Sequence, residues 1–172
     1  MKLDLSLDNA TSSCLLPDEE DVHRWASAAL EGHCPAAALS IRIVDEQESA
    51  DLNLHYRHKP GPTNVLSFPA EIPGEILLQL EFPPLGDLAI CAPVMEREAA
   101  QQDKDIVAHW AHIVVHGCLH LVGYDHLNDT DADKMERQEI TLLKGFGFSN
   151  PYEQHNSPSN KHLLPQGADE AT

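Results

Sequence analysis

The sequence predicts a single domain in which short β-strands and amphipathic helices are combined. Three observations carry that expectation. Leu3, Leu5 and Leu7, and again Leu39, Ile41 and Ile43, alternate with other residues at the period of two that puts alternate side chains on opposite faces of a strand. After Pro17, Val22, Trp25, Ala26, Ala29 and Leu30 recur at three and four, which makes one helical stripe. From about Asp105 to Leu121 a helical segment is apolar around much of its circumference, as a buried helix is. A chain of 172 residues is about one domain, and domains of this size bury roughly two-thirds of their unfolded surface, so the core is self-sufficient.

In chain order, a first strand at Leu3 to Leu7 leads to the helix after Pro17. Asp18, Glu19, Glu20 and Asp21 then fall in its first turn, where the partial positive charge of a helix N-terminus favours anions. The second strand runs to Val44. A short helix follows, up to about Tyr56, and Pro60, Gly61 and Pro62 impose a loop. Further strands are expected at Asn64 to Phe68, Ile76 to Phe82 and Gly86 to Cys91, between prolines and glycines. From Pro93 the chain turns helical, with one segment to about Asp103 and the buried one after it. A last helix has one face made by Ala132, Met135, Leu142, Leu143 and Phe146, and ends at Gly145 and Gly147. Residues 153–172 are polar and proline-bearing, which predicts a disordered tail behind a folded domain of residues 1–152.

The formal net charge of −17 repels phosphate backbones at long range, which disfavours extensive non-specific nucleic-acid binding; no DNA partner is expected. Any nucleic acid must be held locally. Cys14, Cys34, Cys91 and Cys118 form no C-x-x-C pair, so neither a cysteine zinc site nor a disulfide framework is indicated, and a reduced cytoplasmic setting fits. The N-terminus has Asp4 and Asp8 among its leucines, and no later run approaches the length of a membrane span, which predicts a soluble, unprocessed chain.

The chemistry is concentrated in HGCLHLVGYDH, residues 116–126. His116 and His120 lie one turn apart on a helix face and can grip one ion. Gly123 allows a left-handed exit that brings His126 back towards them. Three imidazoles leave an open coordination position, as at a catalytic zinc. Cys118, about 200° round the helix from His116, points away. His109 and His112 share the helix, but a site built on His112 and His116 lies a turn further from the Gly123 bend, so these two are read as supporting or core histidines. The spacing is that of the metzincin peptidases, in which the second residue is the glutamate base. Here it is Gly117, and loss of that base forfeits typically ~10² to 10⁴ in rate, which disfavours peptide hydrolysis. Arg57 belongs to a small basic island with His55, His58 and Lys59, and by itself reads equally as a phosphate-binding or an ordinary surface arginine.

HWAHIVVHGCLHLVGYDH, together with LNLHYR at 52–57, TNVLSFP at 63–69 and LGDLAIC at 85–91, closely resembles the YbeY family of bacterial ribosomal-RNA maturation factors and endoribonucleases. The resemblance runs from about Leu3 to Tyr152. Asn64 stands where the family usually has aspartate, and the tail is longer than usual. The resemblance implies an α+β domain of zincin-like type, with a small mixed sheet packed against helices and the buried helix carrying the metal ligands. It implies one zinc ion per chain held by His116, His120 and His126, and a functional arginine at Arg57. The implied activity is zinc-dependent, single-strand-specific cleavage of ribosomal RNA, notably at the 3′ end of the small-subunit RNA, with roles in late small-subunit maturation and ribosome quality control.

A phosphodiester substrate agrees with the residues, since a metal and a guanidinium both stabilise charge gathering on phosphoryl oxygens, and RNA brings its own 2′-hydroxyl. The general base is not identified; Asp125, beside His126, reads equally as a group orienting a ligand or as an exposed turn carboxylate. Two other classes stand beside this reading: a non-catalytic ribosome assembly factor with a structural zinc, whose acidic surface would suit basic ribosomal proteins, and a metallopeptidase with an unrecognised base.

Overall fold

A computed structural model describes residues 1–124 and 128–153. Four strands, β1 (Lys2–Asn9), β2 (Ala36–Val44), β3 (Val65–Pro69) and β4 (Pro84–Cys91), form one sheet in the order β1-β2-β4-β3. The first three in that order are parallel and β3 runs antiparallel to β4 at the edge, so the sheet is small and mixed, in an α+β domain. Leu3, Leu5 and Leu7 of β1 are half-buried while Lys2 and Asp4 are exposed, as the alternation requires.

Six helices accompany it: α1 (Glu19–Leu30), α2 (Glu46–Arg57), α3 (Gly74–Leu77), α4 (Ala92–Gln101), α5 (Ile106–Leu121) and α6 (Asp129–Gly145). Glu19, Glu20 and Asp21 occupy the first turn of α1, and Asn128 caps α6 by accepting from the Asp131 N–H. Leu39, Ile41 and Ile43 of β2, Val65 of β3, and Leu88 and Ile90 of β4 meet Trp25 of α1 and Trp110 of α5 in one core. Each of those indoles is essentially fully buried, which at ~25 cal/mol per Å² is roughly 4–6 kcal/mol of apolar transfer apiece. The stripe read along α5 therefore lies in the core, and with it the histidine-bearing helix is fixed against the sheet.

The segment Ile76 to Phe82 is not a strand. Its first residues form α3, and Ile76, Leu78 and Leu80 are exposed. Their spacing mimics a strand, but β4 already has partners on both sides, β2 and β3, and the segment lies between the prolines Pro73 and Pro83, which confine it to a turn of helix and a loop. The expected tail lies outside the described residues except for Glu153. Among the described residues no helix is long and apolar enough to cross a membrane.

Candidate metal centre and anion site

The orientation of α5 is set by Gly117. A Cβ built there would lie 2.9 Å from both methyl carbons of Leu88, which is buried in β4. The residue that follows the first histidine thus faces the sheet. A glutamate at this position would press its carboxylate into the apolar helix–sheet contact, so the peptidase base is absent for a packing reason as well as by sequence. Cys118 is also fully buried, and burial pushes its thiol up to about 12, so it is an inert core residue pointing away from the histidines as expected.

The neighbouring face of α5 carries His112, His116 and His120. The His116 and His120 ring centroids are 4.7 Å apart at 84°, so the helix brings these two expected ligands together. Gly123 then leaves the helix with φ of 100°, the conformation predicted for the bend. The third expected ligand, His126, lies outside the described residues, as does Asp125.

Sequence reasoning missed the group behind these rings. Glu139 of α6 is fully buried; His116 Nδ1 donates to its Oε1 at 2.6 Å, and His112 Nε2 to its Oε2 at 3.1 Å. The Tyr152 hydroxyl also donates to Oε2, and its ring packs edge-on against His112, with centroids 5.4 Å apart. Lys104 Nζ donates to the Pro151 carbonyl at 2.9 Å and ties this C-terminal stretch down. Burial pushes the Glu139 carboxyl upward, but the hydrogen bonds from His112 and His116 outweigh it and hold the group well below the usual carboxylate range. Burial, followed by the Glu139 charge, pushes the Tyr152 phenol far up, so it stays a donor. The signal was present: Glu139 falls between Met135 and Leu142 on the apolar stripe of α6, where a carboxylate is out of place without a partner.

A histidine that gives Nδ1–H to a buried carboxylate is held in the tautomer whose Nε2 binds metal, so the donor set around His116 fits an ion. The ligand atoms of His112, His116 and Glu139 all lie within 4.8 Å of one another, and this group too could hold a metal ion. His109 is separate: its Nε2 lies 3.0 Å from Glu98 of α4. Asn64 donates its amide to the same Glu98 at 3.2 Å and accepts from the Val65 N–H at 2.7 Å. Asn64 thus serves as a clamp between the start of β3 and α4.

Arg57 ends α2, and His58 turns the chain out of the helix with a left-handed φ of 59°. Among the described residues Arg57 has no hydrogen bond or ion pair, although Arg24, Arg42 and Arg97 all meet carboxylates. It is half-buried, and burial lowers its pKa. The link to the histidines runs through β3: Tyr56 packs on Phe68, whose carbonyl closes on Gly86 together with Leu121, the neighbour of His120.

A family model described as endoribonuclease YbeY matches residues 7–147. The solution structure of a protein from Thermotoga maritima superposes with a TM-score of 0.56 at 24% identity, covering 93% of this chain and 99% of that one, which is a likeness of fold.

Proposed function

Since the chain belongs to the YbeY endoribonuclease family, we propose that it is a zinc-dependent, single-strand-specific endoribonuclease of the cytoplasm that trims ribosomal RNA at the small-subunit 3′ end. Its place of work is late small-subunit maturation and ribosome quality control, beside small-subunit proteins. One zinc ion is held by His116, His120 and His126, with Glu139 orienting His116 from behind. When bound, the ion supplies Lewis-acid stabilisation of the negative charge that gathers on phosphoryl oxygens.

Arg57 carries the reading. A half-buried guanidinium with no carboxylate partner among the described residues, in a chain of net charge −17, is poised for an anion brought by a ligand, and its planar fork suits phosphate. It binds and orients the phosphodiester and stabilises its developing charge.

The test is single-turnover cleavage of a single-stranded RNA by metal-replete protein, with zinc content and melting temperature followed in parallel. Arg57→Ala is expected to keep fold and zinc and lose roughly 10²-fold or more in cleavage, the scale of one preorganised donor. Arg57→Lys recovers part of it. Unchanged cleavage in Arg57→Ala removes the arginine from the site.

A further inference from the structure

The rings around the end of α2 have no role in the core or in the metal centre. Tyr56 is 58% exposed, yet it is held from two sides: the His55 centroid is 4.6 Å away at 86°, and that of Phe68, from β3, is 5.0 Å away at 65°. Such perpendicular contacts are a favoured aromatic packing that steadies the ring, while its exposure leaves it open to solvent. A lone exposed tyrosine is ordinary, but a ring braced at the surface by a residue from a second element is pre-organised for a contact.

Its surroundings define the contact. Arg57 and Lys59 follow Tyr56 one and three places along the chain, and neither has a carboxylate partner among the described residues, whereas Arg24, Arg42 and Arg97 are all paired. The occupant must therefore offer negative charge and a flat apolar face at once. An acidic peptide supplies the charge without the face. A single nucleic-acid strand supplies both, because its bases are unstacked and accessible while its phosphates are regularly spaced.

We propose that Tyr56, braced by Phe68 and His55, is a stacking platform for one base of single-stranded RNA whose adjoining phosphate is held by Arg57. This rests on the endoribonuclease reading and extends it from the phosphate to the base. Phe68 and Leu121 both close on Gly86, so the platform sits at the end of β3 that adjoins the last turn of the metal-bearing helix. Stacking tolerates any base but needs an exposed face, so the platform selects single strands over duplexes without selecting sequence.

The probe is a short end-labelled 2′-O-methyl oligoadenylate, alone and annealed to its complement, titrated by fluorescence anisotropy against the metal-replete full chain. Tyr56→Ala is expected to weaken single-strand binding roughly 5- to 150-fold, the effect of losing one stacked base, with the melting temperature unchanged because the ring is exposed. Tyr56→Phe and Tyr56→Trp keep the binding. The surface indole emission that Tyr56→Trp introduces is quenched by the single strand but not by the duplex, over a constant background from Trp25 and Trp110, which are shielded in the core. An oligonucleotide with an abasic site in the contacted position binds the parent as weakly as the intact one binds Tyr56→Ala. Undiminished binding in Tyr56→Ala, with Arg57→Ala still impaired, overturns the platform and leaves the endoribonuclease reading standing. No binding of the single strand by the parent removes both.

Discussion

His109 and His116 stand about two turns apart on α5, and each sets a ring nitrogen on a glutamate, at 3.0 Å to Glu98 and 2.6 Å to Glu139. The surroundings differ. Glu98 is 28% exposed and shares its oxygens with the Asn64 amide, so the first pair ties α4, α5 and β3 together. Glu139 is fully buried and takes hydrogen bonds from His112, His116 and Tyr152. Beyond His116 the next histidine ring is 4.7 Å away, while the His109 and His112 rings are 6.3 Å apart. A histidine–glutamate contact is therefore a packing device by default. Where the carboxylate is buried and a further imidazole lies close by, the same contact could brace a metal ion.

The comparison is most exposed to metal analysis. Protein carrying His116→Ala and His120→Ala together is expected to retain almost no zinc after dialysis, measured by mass spectrometry, while His109→Ala stays near one ion per chain. Equal retention in the two would dissolve the distinction between the pairs.

Glu139→Gln sharpens it further. The amide keeps the shape but donates where the carboxylate accepted, so His116 loses its orienting charge and metal affinity should fall about 10- to 100-fold in competition with a chromophoric chelator. Glu98→Gln should leave that affinity unchanged. His112→Asn separates the two ligand sets, since an ion held by His116, His120 and His126 survives it within a few-fold. An ion held by His112, His116 and Glu139 is lost as completely as in a His116 variant.

The sequence shows one side of this site better than the other. α5, its inward histidines and the Gly123 bend were legible because periodicity and spacing are local, and Gly123 adopts the positive φ that its position required. Glu139 reaches His116 from 23 residues away, and only its misplacement on the stripe of α6 hinted at a partner. Gly117 was readable as a missing base, but its contact with Leu88 depends on how the helix lies on β4. Ile76 to Phe82 shows the opposite failure: alternation looked like a strand, while the residues after Pro73 close a turn of helix instead of pairing with the sheet.

The smallest expected effect concerns proton linkage in metal-free protein. Burial pulls the His112 pKa below its ordinary value although Glu139 opposes the shift, so the folded chain holds this imidazole neutral. Unfolding releases it, and below about pH 6.5 the unfolded chain binds a proton that the folded one lacks; stability falls as pH falls. Glu139 acts with the same sign in a lower window. Its depressed pKa contributes stability that is complete above the ordinary glutamate value of about 4.3 and is lost as pH drops further. Urea midpoints of zinc-stripped protein should therefore decline from about pH 6.5 downward and more steeply below about 4.3. His112→Asn should flatten the upper part and Glu139→Gln the lower. A midpoint that held constant or rose between neutrality and pH 5 would mean that water reaches this cluster freely, and the buried brace would then be no different in kind from the partly exposed pair at Glu98.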